Sequence, residues 1–111
     1  MKAKLREIRK QLMSHTAIIK LSDHCKNESM EKRGYTKTDI VICLMQGEVT
    51  EVGYGYNKSL GKKTMNLVVE GKDAYHNPVV VVIGIDGENE YTLVTVFPPI
   101  DRNRFKVCIS N

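Results

Sequence analysis

Residues 78–85, "PVVVVIGI", are apolar at nearly every position. A strand with one wet face alternates apolar and polar residues, so an unbroken run of this kind reads as a central strand covered on both faces. A chain of 111 residues can bury one such core and is too short for two, which makes residues 1–111 a single domain. The neighbouring segments agree. "EVTEVGYGY", "TMNLVVE" and "EYTLVTVF" are β-branched or alternating runs separated by turn-type loops. "DGEN" (86–89) is a hairpin signal, and "FPP" ends the last long strand because proline cannot continue a ladder. "KVCI" is expected as a short fifth strand.

The first part of the chain has a different period. Residues 2–13 predict a helix, with Leu5, Ile8 and Leu12 on one stripe and charges around them. "TAIIK" reads as a short extended segment. Ser22 or Asp23 can cap a second helix that runs to Arg33 and stops at Gly34. In "TKTD", Thr36 caps a third helix and Asp39 completes a variant capping box. Ile40, Val41, Cys43 and Leu44 form its apolar stripe, and "QG" at 46–47 ends it. Helices followed by a meander of strands predict an α+β fold, with the N-terminal helices packed on a four- to five-stranded antiparallel sheet. No repeat, linker or low-complexity segment interrupts it.

Composition narrows the function classes. Hydrophobic residues make up 41% and charged residues 27%, ordinary for a globular protein. No apolar run is long enough to span a bilayer, and the N-terminus lacks the apolar core of a secretion signal. Cys25, Cys43 and Cys108 are odd in number with no CxxC pair, which fits a reducing compartment and predicts a cytoplasmic location. A zinc site from His24 and Cys25 with His76 or Cys108 lacks ligand spacing, and the acidic "DGENE" turn offers too few ligands for calcium. No metal or cofactor is expected. The net charge of +4 is modest, but "KAKLREIRK" carries five basic residues against one glutamate, and "NKSLGKK" and "DRNRFK" add further clusters. These permit a polyanion such as RNA as partner.

The combination of "LSDHC", "EKRGYT", "GKDAYHNPVVVV" and "LVTVFPP" over roughly residues 18–100 resembles a small bacterial domain family of unknown function. That family is grouped with the RelE-type toxins of the barnase–EndoU–colicin–RelE ribonucleases. The resemblance excludes the N-terminal helix of residues 1–14. It implies a RelE-like fold and a metal-independent endoribonuclease, of the toxin type held in check by a cognate antitoxin-like protein. His24 matches the family histidine, Arg33 the arginine before glycine, and Thr95 the threonine of the last strand. Two departures stand out. The family places its arginine eight residues after the histidine, about 80° around an α-helix, whereas here the separation of nine gives about 180° and opposite faces. A bulge, unwinding near Gly34, or Cys25 in the histidine's place are the ways out. The second departure is Val80, where the family often has a histidine after proline; His76 in the preceding loop is the candidate substitute.

Cleavage without a metal uses the neighbouring 2′-hydroxyl as nucleophile, and needs proton transfer to and from oxygen and cations on the phosphate. Histidine suits the first task and the planar fork of arginine the second. His24, Arg33 and Thr95 are thus the catalytic candidates. Lys58, Lys62, Lys63, His76, Arg102 and Arg104 are the candidates for substrate binding. Each has an ordinary structural reading: an exposed helix-end histidine, an arginine on a helix dipole, a strand-forming threonine. The segment "GYGYNKSLGKK" is either an RNA-binding loop, with Tyr54 and Tyr56 stacking on bases, or a solvated hairpin with its tyrosines packed on the sheet. The rival to the enzyme is a catalytically inactive RNA- or protein-binding module of the same fold. A third expectation is an oligomer formed through the N-terminal helix.

Overall fold

The structure, a computed structural model, describes residues 2–109. Five strands form one sheet in the order β1-β5-β4-β3-β2. They are β1 (Ile18–Leu21), β2 (Glu48–Asn57), β3 (Lys62–Lys72), β4 (Pro78–Ile85) and β5 (Glu90–Phe97). The α-helices are α1 (Lys2–Met13), α2 (Lys37–Gln46) and the short α3 (Lys106–Ile109), with a π-helix at Cys25–Lys32.

β4 is the central strand that its valine run predicts. Val79, Val81 and Ile83 point into the main core with Leu5 and Ile8 of α1, Cys25, and Ile40, Cys43 and Leu44 of α2. Val80 points the other way, against Phe105 and Cys108. Each valine buried here is worth about 1.5–3 kcal/mol relative to exposure, so this one strand commits both faces of the sheet to being covered.

The α+β class and the five strands stand, but the sheet is mixed. β2 to β5 form the antiparallel meander, while β1 runs parallel to β5, from Ile18 opposite Glu90 to Leu21 opposite Leu93. No hairpin joins β1 to its neighbour, so no turn chemistry signals its direction. The fifth strand is β1, "IIKL", overlapping the extended "TAIIK" segment, rather than "KVCI", which is helical. Phe105 and Cys108, three residues apart, share the buried side while Val107 is exposed, a helical spacing. The buried Glu70 carboxylate accepts the N–H groups of Val107 and Cys108 (3.1 and 3.2 Å), and the Lys72 ammonium donates to the Cys108 carbonyl (2.7 Å). A carboxylate at one end and a cation at the other match the helix dipole.

α2 starts and stops as its sequence demands. The Thr36 hydroxyl accepts the Asp39 N–H, and the Asp39 carboxylate accepts the Thr36 N–H. Its second oxygen accepts the Ala74 N–H (3.0 Å), tying α2 to the β3–β4 turn. Arg9 of α1 donates to the Leu44 and Gly47 carbonyls at the far end. A Cβ on Gly47 would lie 2.6 Å from the carbonyl oxygens of both Cys43 and Glu70, so the space admits only glycine. The apolar stripe of α1 is spent inside the chain: Leu5 and Ile8 are buried in the main core.

Candidate functional site

β1 accompanies β5 only as far as Leu93. Beyond that point β5 would present bare backbone groups at its edge, which a folded protein must cover. The π-helix and the residues flanking it cover them with side chains. Ser22 Oγ donates to the Val94 carbonyl (2.8 Å), Ser29 Oγ accepts the Val96 N–H (2.8 Å), and Arg33 Nη1 donates to the Val96 carbonyl (2.8 Å). Ser22 also caps the helical turn, its hydroxyl accepting the Cys25 N–H (3.0 Å). Three polar side chains thus continue the ladder where the strand beside it ends.

The nine-residue spacing from His24 to Arg33 is resolved by the helix type. The Arg33 N–H bonds to the Glu28 carbonyl, five residues back. A helix closed by such bonds has roughly 4.4 residues per turn, so Ser29 falls about 50° and Arg33 about 15° from His24. An α-helix would send them about 140° and 180° away. The wider turn runs from Cys25 to Lys32, so the expected bulge is present and spread over the segment rather than being an unwinding at Gly34, and Cys25 is buried in the core rather than taking the histidine's place. Gly34, with φ of +81°, ends the helix in the left-handed conformation that favours glycine.

β5 contributes the other half. Val94 is an extra residue relative to β4, since Val82 pairs with Thr95 and Ile83 with Leu93. Such a bulge re-aims the side chains that follow it. The Thr95 hydroxyl lies 3.1 Å from His24 Nε2 and 3.4 Å from Ser29 Oγ. Because Ser29 Oγ accepts from Val96, its own proton is available to Thr95, and the Thr95 proton to His24. In that direction Nε2 accepts and Nδ1 carries the ring hydrogen. An imidazolium reverses the last bond, with Thr95 accepting from both neighbours. The hydroxyl pair therefore serves either protonation state of His24 by rotating one O–H.

The charges around the cluster are mixed: Lys26, Lys32 and Arg33 stand among Asp23, Glu28 and Glu31. The Lys32 ammonium, 3.0 Å away, holds the Glu28 carboxyl below its ordinary range, and the charges of His24 and Arg33 act in the same direction. Arg33 also lines a groove of about 570 Å³ with Tyr35, Phe97, Ile100 and Phe105, on which neither His24 nor Thr95 opens. Burial pushes the Tyr35 phenol up, the nearby Asp73 carboxylate adds to this, and Arg33 opposes it.

The remaining candidates lie apart from this cluster. His76 is exposed on the β3–β4 turn with φ of +63°, and lines neither the groove nor the Thr95 cluster. Arg104 is committed elsewhere: it forms a two-pronged ion pair with Glu51 (2.7 Å each) and lies over the Phe105 ring. Arg102 is exposed in the segment before α3. Lys58 sits in the β2–β3 loop, and Lys62 and Lys63 begin β3. Tyr54 and Tyr56, at 71% and 65% exposure, do not pack on the sheet. Among the described residues no three His, Cys, Asp or Glu side chains gather as metal ligands, and no helix is long and apolar enough to cross a membrane. Ser29 is the residue that sequence reasoning missed. Its signal is the nine-residue spacing itself, since only a period wider than 3.6 puts 24, 29 and 33 on one face.

The family model for a domain of unknown function, DUF4258, matches residues 21–98, which take in the π-helix, α2 and β2 to β5. The chain belongs to that family. Its description assigns no activity and names no ribonuclease. No curated protein and no solved structure matches the chain.

Proposed function

We propose that the chain is a metal-independent endoribonuclease of the RelE-like type, with its reacting centre at the edge of β5. The observation that carries this is the convergence of His24, Ser29 and Arg33 on Thr95–Val96, produced by the same π-helix that covers the edge of β5. Arg33, oriented by its bond to the Val96 carbonyl, receives the phosphate with its remaining N–H groups. The 2′-hydroxyl attacks phosphorus and passes its proton to water. His24, as imidazolium, protonates the departing 5′-oxygen, leaving a 2′,3′-cyclic phosphate and a 5′-hydroxyl. Thr95 touches His24 and sets its orientation. A site whose phosphate is met by Arg33 is blocked by a carboxylate in the phosphate's place, which is what an acidic segment of a cognate antitoxin-like protein supplies.

A second reading has its own observation. The cluster holds one imidazole, and Arg33 spends an N–H on the backbone, as an edge anchor does. On that reading the chain is a binding module that retains the architecture without the chemistry. Expression in a bacterial host separates the two. The nuclease predicts growth arrest that His24→Ala and Arg33→Ala relieve at equal protein level. Undisturbed growth and intact total RNA, with folded protein present, select the binding module.

A further inference from the structure

Two tyrosines stand on one open face of the sheet's outer hairpin. β2 is an edge strand, and Val52, Tyr54 and Tyr56 are exposed at alternate positions along it. Their cross-strand partners are Leu67, Met65 and Lys63, so they lie on the side of the sheet that carries the helices. α1 and α2 cover Leu67, yet the tyrosine rings beyond it are bare. Large aromatic surface left in water on a sheet face is a feature that calls for an occupant.

The charge around the rings identifies that occupant. Lys63 sits directly opposite Tyr56, Lys62 is its neighbour, and Lys58 lies in the loop between the strands. No carboxylate occurs from residue 52 to residue 69. Glu51, just before, points to the opposite face and is paired with Arg104. Aromatic faces flanked by cations fit a polymer of stacked rings and phosphates, and the Asp86 carboxylate beside Asn57 is engaged by the Asn57 amide and the Thr92 hydroxyl (3.1 and 2.6 Å). Two residues along a strand advance about 7 Å, so Tyr54 and Tyr56 can each take one splayed base while Lys63 meets the phosphate between them. A duplex offers no free base faces, and an acidic peptide carries rings only at its aromatic residues, whereas a single strand presents one at every repeat.

We propose that the Tyr54–Tyr56–Lys63 face of the β2–β3 hairpin is a binding platform for single-stranded RNA. It takes from the nuclease reading only the identity of the polymer. The platform lies on a different strand from the β5 edge, so it captures RNA rather than cutting it.

The test uses the full chain and a fluorescein-labelled, unstructured RNA of about twelve nucleotides with 2′-O-methyl sugars, which binds but cannot be cleaved. Anisotropy is expected to show Tyr54→Ala and Tyr56→Ala each binding about tenfold more weakly, with unchanged melting temperature. Tyr54→Phe and Tyr56→Phe, which keep the stacking face, stay near wild type. Lys63→Gln reduces the slope of log K against log salt by about 0.7. Unlabelled duplex RNA competes poorly. Alanine variants that bind like wild type overturn the platform, as does duplex competing as well as single strand, or wild type that does not bind at low salt. Loss of binding in the tyrosine variants of a chain that cleaves no RNA keeps the platform and removes the nuclease. Cleavage in a chain whose tyrosine variants bind normally does the reverse.

Discussion

Asp39 shows how much one side chain holds in place. It closes the cap of α2 with one oxygen and reaches the β3–β4 turn with the other. Burial alone raises its carboxyl, but the N–H groups of Thr36 and Ala74 and the Thr36 hydroxyl outweigh burial and hold it below the ordinary carboxylate range. A folded-state value below the unfolded one contributes stability that is complete above the unfolded value and is lost as pH falls through the folded one. Asp39→Asn is therefore expected to cost about 1–2 kcal/mol at neutral pH, with the difference from wild type shrinking below about pH 4. Urea unfolding at pH 7 and at pH 3 measures both. The cysteines follow the opposite logic. Burial, with the nearby Cys108 as a smaller contribution, pushes the Cys43 thiol up to about 12, while burial and Glu70 push Cys108 up to about 11. Cys25 is also raised by burial. Thiolates are the reactive form, so an aromatic disulfide reagent at pH 8 is expected to leave the native protein unmodified and to label all three cysteines in urea. Rapid labelling of the folded chain contradicts the burial described.

At the scale of elements the π-helix is the device that makes the site. Ser29 is fully buried and is the acceptor for the Val96 N–H. Ser29→Ala leaves that donor without a partner, a loss of about 1–3 kcal/mol. Hydrogen exchange at the Val96 amide is expected to accelerate by more than at Tyr91 or Leu93, which β1 still covers. Equal acceleration along β5 contradicts the side-chain ladder. The helix type has its own test. Deleting the exposed Asn27 brings His24 and Arg33 to a separation of eight, and an ordinary α-helix then places Ser29 and Arg33 about 40° and 80° from His24. The deletion is expected to fold, with a melting temperature within a few degrees of wild type and more α-helical circular dichroism. An unfolded product means that the wide turn is required by the core around Cys25 rather than by the spacing of the three polar residues.

Over the whole molecule, the parts of the chain governed by local rules were legible in advance. The Thr36–Asp39 box, the Gly34 and Gly47 stops, the "DGEN" turn and the doubly buried β4 follow from contacts within a few residues or from a run that admits one reading. What was illegible depends on distant partners. β1 takes its direction from β5, 72 residues away in sequence (Ile18 opposite Glu90), and "KVCI" becomes a helix because Glu70 and Lys72 grip its ends. Ser29 was hidden for the same reason, since its role exists only where β1 stops short of Val96. Of the two arrangements open for Tyr54 and Tyr56, the structure has the exposed one. His24, Arg33 and Thr95 were chosen by resemblance, and the structure sets them along one edge.

That edge is the centre of the account, and one rate tests it. Purified protein is incubated with end-labelled single-stranded RNA in excess chelator, and cleavage by wild type is compared with that by His24→Ala. The account predicts products ending in 2′,3′-cyclic phosphate and a loss of roughly 10²- to 10⁴-fold in the variant. No cleavage by folded wild type, or cleavage that His24→Ala leaves unchanged, contradicts it.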